Sequence, residues 1–326
     1  MLGTAALADL AVKLRSSRGL AAKHDIAAVA GRLGLSGTSA VPVGDDCAAI
    51  ADGDGFLLLA IEGFMNEFVA GDPWFAGWCG IMVNVSDVAA MGGRPIAVVD
   101  AVWAASAADA APVLAGMRAA AEAFRVPVVG GHTNASTDRG QLAVAILGRA
   151  KRLLTSFDAR PGDRLVAAID LRGRYREPFS NWEAATAAPP ARLRADLELL
   201  PSIAETGLAV AAKDISQGGI VGTAMMLAEC SGVGCCLDIE RVPKPDGVPL
   251  DRWLQTFPSY GYLLAAPLAN LPALLARFGE RGIAAAEIGT ITADRRMLIR
   301  DGAAAETIWD FAREPLIGCA PTQVLA

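Results

Sequence analysis

Histidine is scarce in this 326-residue chain, with two copies, and tyrosine occurs only three times. The six cysteines form no CxxC pair. Cys230, Cys235 and Cys236 have no histidine beside them and fit no zinc spacing, so they read as reduced thiols filling core space rather than a metal cluster. A run of eighteen uninterrupted apolar residues is also missing. The best candidate, Pro95 to Met117, carries Asp100 and Asp109, so no membrane-spanning helix is expected. Met1 to Leu20 lacks the charged tip and apolar segment of a secretory leader, and the expected compartment is the cytoplasm. Positive charge is in deficit, 29 Lys and Arg against 35 Asp and Glu, for a net charge of −6. That balance argues against a nucleic acid or an anionic membrane as the main partner.

What is present is apolar material. The apolar fraction is 53% and the charged fraction 20%, which excludes a disordered chain and suffices for two domains of ordinary size. Short β-rich runs alternate with longer helical ones, the pattern of a layered α/β or α+β fold. Phe56–Ile61 reads as a buried strand. In Trp74–Met91 the apolar residues Phe75, Trp78, Met82, Val85 and Ala89 recur at helical spacing, and Gly92-Gly93 ends the run. A strand over Ile96–Val102, a helix over Ser106–Phe124, and strands over Val126–Val129 and Leu142–Leu147 complete the first half. Lys151 to Asp163 loses all periodicity and closes on Arg160-Pro161-Gly162-Asp163, a boundary signal. The second half restarts with a strand over Arg164–Ile169, followed by a long loop from Arg172 to Pro190. A helix over Ala191–Glu205, a strand over Leu208–Ala212 and a helix over Ile220–Ser231 come next. Further strands fall near Gly234–Ile239, Tyr260–Ala265, Ala284–Ile291 and Met297–Arg300, with a helix near Leu271–Gly282.

Four places carry polar chemistry. Gly44-Asp45-Asp46 puts two adjacent carboxylates before an apolar run, an arrangement that suits either a surface turn or a hard cation. Asn84 and Asp87 lie three apart on one helix face in a nearly apolar segment, where a buried aspartate needs a partner. Val128-Val129-Gly130-Gly131-His132-Thr133 is a strand leading into glycines that let a backbone approach phosphate. Asp214-Ile215-Ser216-Gln217-Gly218-Gly219 leads from a strand into a glycine-opened helix start, where free N–H groups favour an anion. Together they suggest Mg²⁺-nucleotide chemistry. There is neither a Walker A sequence nor a kinase glycine loop, so metal bridges would hold the phosphates.

The order of these motifs resembles the aminoimidazole ribonucleotide synthetase-related (PurM-like) superfamily. Its members include thiamine-monophosphate kinase, selenide,water dikinase and formylglycinamidine ribonucleotide synthetase. The resemblance covers roughly residues 40 to 290, and Asn84-x-Ser86-Asp87-x-Ala89-Ala90-Met91-Gly92-Gly93-x-Pro95 is its most specific stretch. It implies a two-domain α/β architecture: residues 1–155 binding ATP and Mg²⁺ and dimerising through the sheet, and residues 156–326 forming a ferredoxin-derived domain that completes the active-site cleft. It further implies a homodimer that acts on ATP and a small metabolite. Asp45, Asp46 and Asp87 fall on the superfamily's Mg²⁺ carboxylates, with Glu62 at the position of a further one. Gly130, Gly131 and Thr133 fall on its phosphate loop, alongside Gly44, Asn84, Gly218 and Gly219 as nucleotide contacts. His132 and Asp214 are the catalytic candidates, and Arg174, Arg176 and Trp182 candidates for substrate contact.

The departures concern identity. Ala60-Ile61-Glu62 stands where many members have Thr-Thr-Asp, His132 stands where the kinase has aspartate, and Gln217 replaces the kinase's second aspartate. No cysteine precedes Cys47, unlike the dikinase, and seven residues follow Cys319. The implied activity is transfer of the γ-phosphoryl group of ATP to an oxygen of a small molecule, by a kinase-like or ligase-like route. The alternatives are a nucleotide-binding regulatory protein without catalysis and a selenophosphate-synthetase-like dikinase.

Overall fold

The computed structural model describes residues 3–35 and 41–319. The chain opens with helices α1 (Thr4–Arg15), α2 (Arg18–Ala21) and α3 (Asp25–Leu33). It then builds five strands, β1 (Ala48–Asp52), β2 (Gly55–Phe64), β3 (Gly93–Trp103), β4 (Val128–Asn134) and β5 (Gln141–Ala150). Helices α4 (Asn66–Gly71) and α5 (Pro73–Ala90) connect β2 to β3, and α6 (Ala107–Phe124) connects β3 to β4. The second half holds β6 (Arg164–Ile169), β7 (Arg174–Tyr175), β8 (Asn181–Glu183), α7 (Pro190–Leu197), α8 (Leu199–Thr206), β9 (Ala211–Asp214) and α9 (Gly219–Cys230). It continues with β10 (Gly234–Asp238), α10 (Leu250–Trp253), β11 (Phe257–Pro258), β12 (Gly261–Ala266), α11 (Leu271–Gly279), β13 (Ala284–Thr292), β14 (Arg296–Asp301) and β15 (Ala304–Asp310).

These elements form two compact units. One contains residues 46–153 and 187–205; the other contains residues 1–45, 154–186 and 206–326. The chain passes between these units more than once, at Asp45–Asp46, Leu153–Leu154, Thr186–Ala187 and Glu205–Thr206. The helices α1 to α3 join the second unit, and most of the α7–α8 segment joins the first.

In the first unit the sheet order is β1-β2-β5-β3-β4, antiparallel except for the β3–β4 pair. The parallel pair is joined by α6 in a β-α-β crossover, which puts α5 and α6 on one face. Asp72 caps α5 by accepting from the Phe75 N–H at 3.2 Å, and Pro73 starts its first turn. Sixteen of its eighteen residues are buried, so α5 is a core helix with no solvated face. Phe75 and Ile81 are fully enclosed, and burial of side chains of this size stabilises by about 1.5–3 kcal/mol each. Period-two alternation splits β2 between the two faces. Leu58 and Ala60 are buried, whereas Leu59 is 48% and Ile61 69% exposed.

The second unit has a seven-stranded mixed sheet ordered β15-β14-β10-β13-β6-β12-β9. Its core gathers Leu165, Ala167, Ile220, Leu227, Leu237, Leu263, Ile299 and Trp253, with Leu7 and Leu14 of α1 packed in. The structure departs from the sequence reading here: α10 and β15 have no counterpart in it, and the strand expected over Leu208–Ala212 is β9 at Ala211–Asp214. The expected loop from Arg172 to Pro190 contains β7 and β8, which form a small sheet with β11, and Trp182 is buried by edge-on contact with Tyr175 and Trp253. The expected continuous helix over 191–205 breaks at Glu198 into α7 and α8, with Pro201 in the first turn of α8 where its missing N–H costs nothing. No helix among the described residues is long and apolar enough to cross a membrane.

Candidate functional site

Gly44-Asp45-Asp46 is an irregular turn leading into β1. Gly44 has φ +122°, and a Cβ there would lie 2.5 Å from Cys319 Cβ, so only glycine fits. The Asp45 side chain is fully buried. It accepts from Ser156 N–H at 2.7 Å and Ser156 Oγ–H at 2.6 Å, and Lys213 Nζ lies 3.8 Å away. This residue is thus committed to fixing the turn. Its neighbour Asp46 is half-buried.

Asn84 and Asp87 of α5 are both buried, at 0% and 4% exposure. Asn84 Nδ2 donates to the carbonyls of Gly80 (2.8 Å) and Val144 (3.1 Å), while its Oδ1 is enclosed and accepts no hydrogen bond among the described residues. A carboxylate oxygen of Asp87 lies within 4.8 Å of one of Asp46. Two like charges at that separation repel unless a cation or proton intervenes. Two carboxylate oxygens with an unused amide oxygen one helical turn away suit a hard divalent ion such as Mg²⁺.

Gly130, Gly131, His132 and Thr133 were expected in a loop after a strand; they are instead the middle of β4, an edge strand exposed along its whole length. As an edge strand, β4 leaves part of its backbone N–H and C=O row unpaired by the sheet. His132 pairs across from Ala101 and lies 6.3 Å, ring to ring, from Trp103 on the open face. Thr133 pairs across from the buried Val102 and shares the helix-covered side. His132 and Thr133 therefore project to opposite faces of the sheet. Glu62 is half-buried in β2 and sits across from the buried Val144, on the helix side. Gly130 has open space where a Cβ would stand, whereas a Cβ on Gly131 would lie 2.5 Å from Asp100 Oδ1.

In the second unit, Asp214 is the buried last residue of β9, across from Tyr262. Gly218 precedes α9 and Gly219 begins it with φ +66°. Two N–H groups of that helix start already donate, Gly219 to Ser216 O (2.9 Å) and Ile220 to Leu254 O (3.0 Å). Ser216 Oγ is buried with no hydrogen-bond partner among the described residues. Arg174 lies in β7 of the small sheet and Arg176 just beyond it, while Trp182 belongs to the aromatic core. The sequence reading missed the clamp on Asp45. Ser156 lies in the stretch taken as a featureless boundary, and nothing local marks it.

With this geometry in view, residues 44–150 match the N-terminal domain of the AIR synthase related protein family, and residues 171–301 match its C-terminal domain. The chain belongs to the AIR synthase related family. It is 46% identical to an uncharacterized protein of Synechocystis sp., over 96% of this chain and 98% of the relative. It is 29% identical to the thiamine-monophosphate kinase of Pyrococcus abyssi, over 63% of this chain and 69% of the kinase. Among solved structures, T. maritima PurL complexed with ATP superposes with TM-score 0.70 at 20% identity. That match covers 86% of this chain and 47% of PurL, so the chain spans about half of that protein. At such identity the likeness establishes the shared fold. The α/β PurM-like architecture expected from the motifs is the one observed.

Proposed function

We propose that this AIR synthase related protein is an ATP-dependent enzyme that transfers or uses the γ-phosphoryl group on an oxygen of a small metabolite. The observation that carries this reading is the approach of Asp46 and Asp87, one fixed in a buried helix and the other following a clamped turn. The names of relatives support it: a thiamine-monophosphate kinase, a selenide, water dikinase, and a PurL solved with ATP. Asp46 and Asp87 would hold Mg²⁺, with Asn84 Oδ1 and Glu62 as further oxygen donors. Bound there, Mg²⁺ neutralises triphosphate charge, which is the main catalytic demand of phosphoryl transfer.

The chain's own groups do the rest. Asp45, tied to Ser156, orients the turn that presents Asp46. Thr133 and outward N–H groups of β4 offer donors to phosphate oxygens, with Gly130 leaving the backbone accessible. His132 stands on the other sheet face, where it would donate only to a group reaching round the strand edge. Asp214 serves the acceptor side. An assay of ADP release against phosphorylated and amide-bearing metabolites, run beside ATP titration, tests the reading. ADP release stimulated by one acceptor supports an enzyme; saturable ATP binding with no turnover under any acceptor points to a nucleotide-binding regulatory protein.

A further inference from the structure

The first unit carries an open groove of about 580 Å³ between the C-terminal half of α6 and the strands β3 and β4. Leu114, Met117 and Ala121 line it from α6, Val126 and Val128 from the following turn and strand, and Asp100 from β3. Drug-sized organic ligands occupy clefts of this volume, with mainly apolar walls and a few placed polar groups. Asp100 pairs across from the buried Val144, and from Gly131 on the other side, so it faces the helices rather than the open apolar face. Its carboxylate is half-buried and neither accepts a hydrogen bond nor makes an ion pair among the described residues. Arg118 at the groove wall is paired with Glu122 at 3.5 Å, and neither Arg118 nor Arg125 comes within ion-pair distance of Asp100. The carboxylate is also seated deliberately: any side chain at Gly131 would collide with it, 2.5 Å from Oδ1.

A carboxylate partly withdrawn from water without a partner carries a desolvation cost, and a ligand that supplies the donor recovers it. Burial pushes the Asp100 carboxyl above its ordinary value, which agrees with a missing counter-charge. We infer that this groove binds a small amphiphilic molecule bearing an ammonium or equivalent N–H group, with Asp100 as its anchor and the apolar wall holding its body. The site uses neither Asp46 nor Asp87 and stands whether or not the chain binds ATP.

The probe is phenethylamine, titrated calorimetrically into the whole protein at neutral pH beside phenethyl alcohol and phenylacetate. The expected order is amine first, alcohol weaker, and phenylacetate not bound up to about 10 mM. Asp100→Asn should lower amine affinity about tenfold and leave the alcohol unchanged, the size expected for one charge-assisted hydrogen bond. Ala121→Trp, which fills the groove, should abolish both. Circular dichroism identifies any variant that fails to fold, and the wild-type preference of amine over alcohol over phenylacetate is then the deciding result. No saturable amine binding, equal binding to Asp100→Asn, or tighter binding of phenylacetate through the nearby arginines would each overturn the assignment.

Discussion

Adjacent residues in this chain have opposite duties, as Asp45 and Asp46 show. Asp45 is buried against Ser156 and Lys213, whereas Asp46 faces Asp87. Asp45→Ala removes two hydrogen bonds and the counter-charge of a buried lysine, a loss of about 2–4 kcal/mol. For a protein of this size the melting temperature should fall by roughly 3–6 °C, measured by calorimetry. A melting temperature within a degree of wild type would remove Asp45 from its structural role. Asp100 sets a pH dependence of the other kind. Its folded-state pKa is raised above the ordinary 3.8, so the folded protein holds that proton more tightly than the unfolded chain. Its contribution is full below pH 3.8 and is lost as the pH rises through the higher folded value. Asp100→Asn should therefore remove the fall in stability across that window, read as denaturation midpoints across pH. At this scale the sequence marked candidate polar residues but not their surroundings. The Gly-Asp-Asp pattern is the same whether an aspartate meets a cation or a serine 111 positions away.

At the scale of elements, period and punctuation were the readable features. The boundaries of α5 followed from its apolar spacing and from Gly92-Gly93, and α6 followed from Ser106, whose side chain caps it by accepting from Asp109 N–H at 3.2 Å. The glycine-rich stretch after Val129 misled because glycines normally punctuate. Here Gly131 is needed inside a strand, to make room for Asp100 across the pair, and that neighbour lies 31 positions away. Asn84 and Asp87 share a face as their spacing requires, but the face is interior, because β2, β3 and β5 cover one side of α5 and α6 packs along it. Element-level alternation also exposes an apolar surface. Leu59, Ile61, Val99 and Val129 are 43–69% exposed, and by strand register Leu59, Ile61 and Val99 lie on one sheet face. A contiguous apolar sheet face seeks cover. We propose that a second copy of the chain provides it, through two-fold pairing. Ile61→Arg should then turn a dimer into a monomer by light scattering at micromolar concentration. A monomeric wild type would end that proposal.

For the whole molecule, family membership and fold follow from motifs distributed over most of the chain. The central claim is that Asp46 and Asp87 make nucleotide binding depend on a divalent cation. Triphosphate and two carboxylates carry charge of one sign, so without the cation they repel. Asp87→Asn preserves volume inside a buried helix and removes one of the two charges, whereas Asp214→Asn should leave nucleotide affinity within a few-fold and slow turnover. The most direct measurement is calorimetric titration of ATP into wild type and Asp87→Asn, each with Mg²⁺ and with chelator. The account predicts binding by wild type with Mg²⁺ alone, a loss of about a hundredfold or more in Asp87→Asn, and little change in its melting temperature. Equal ATP affinity with and without chelator, or a folded Asp87→Asn that binds as wild type does, would contradict it.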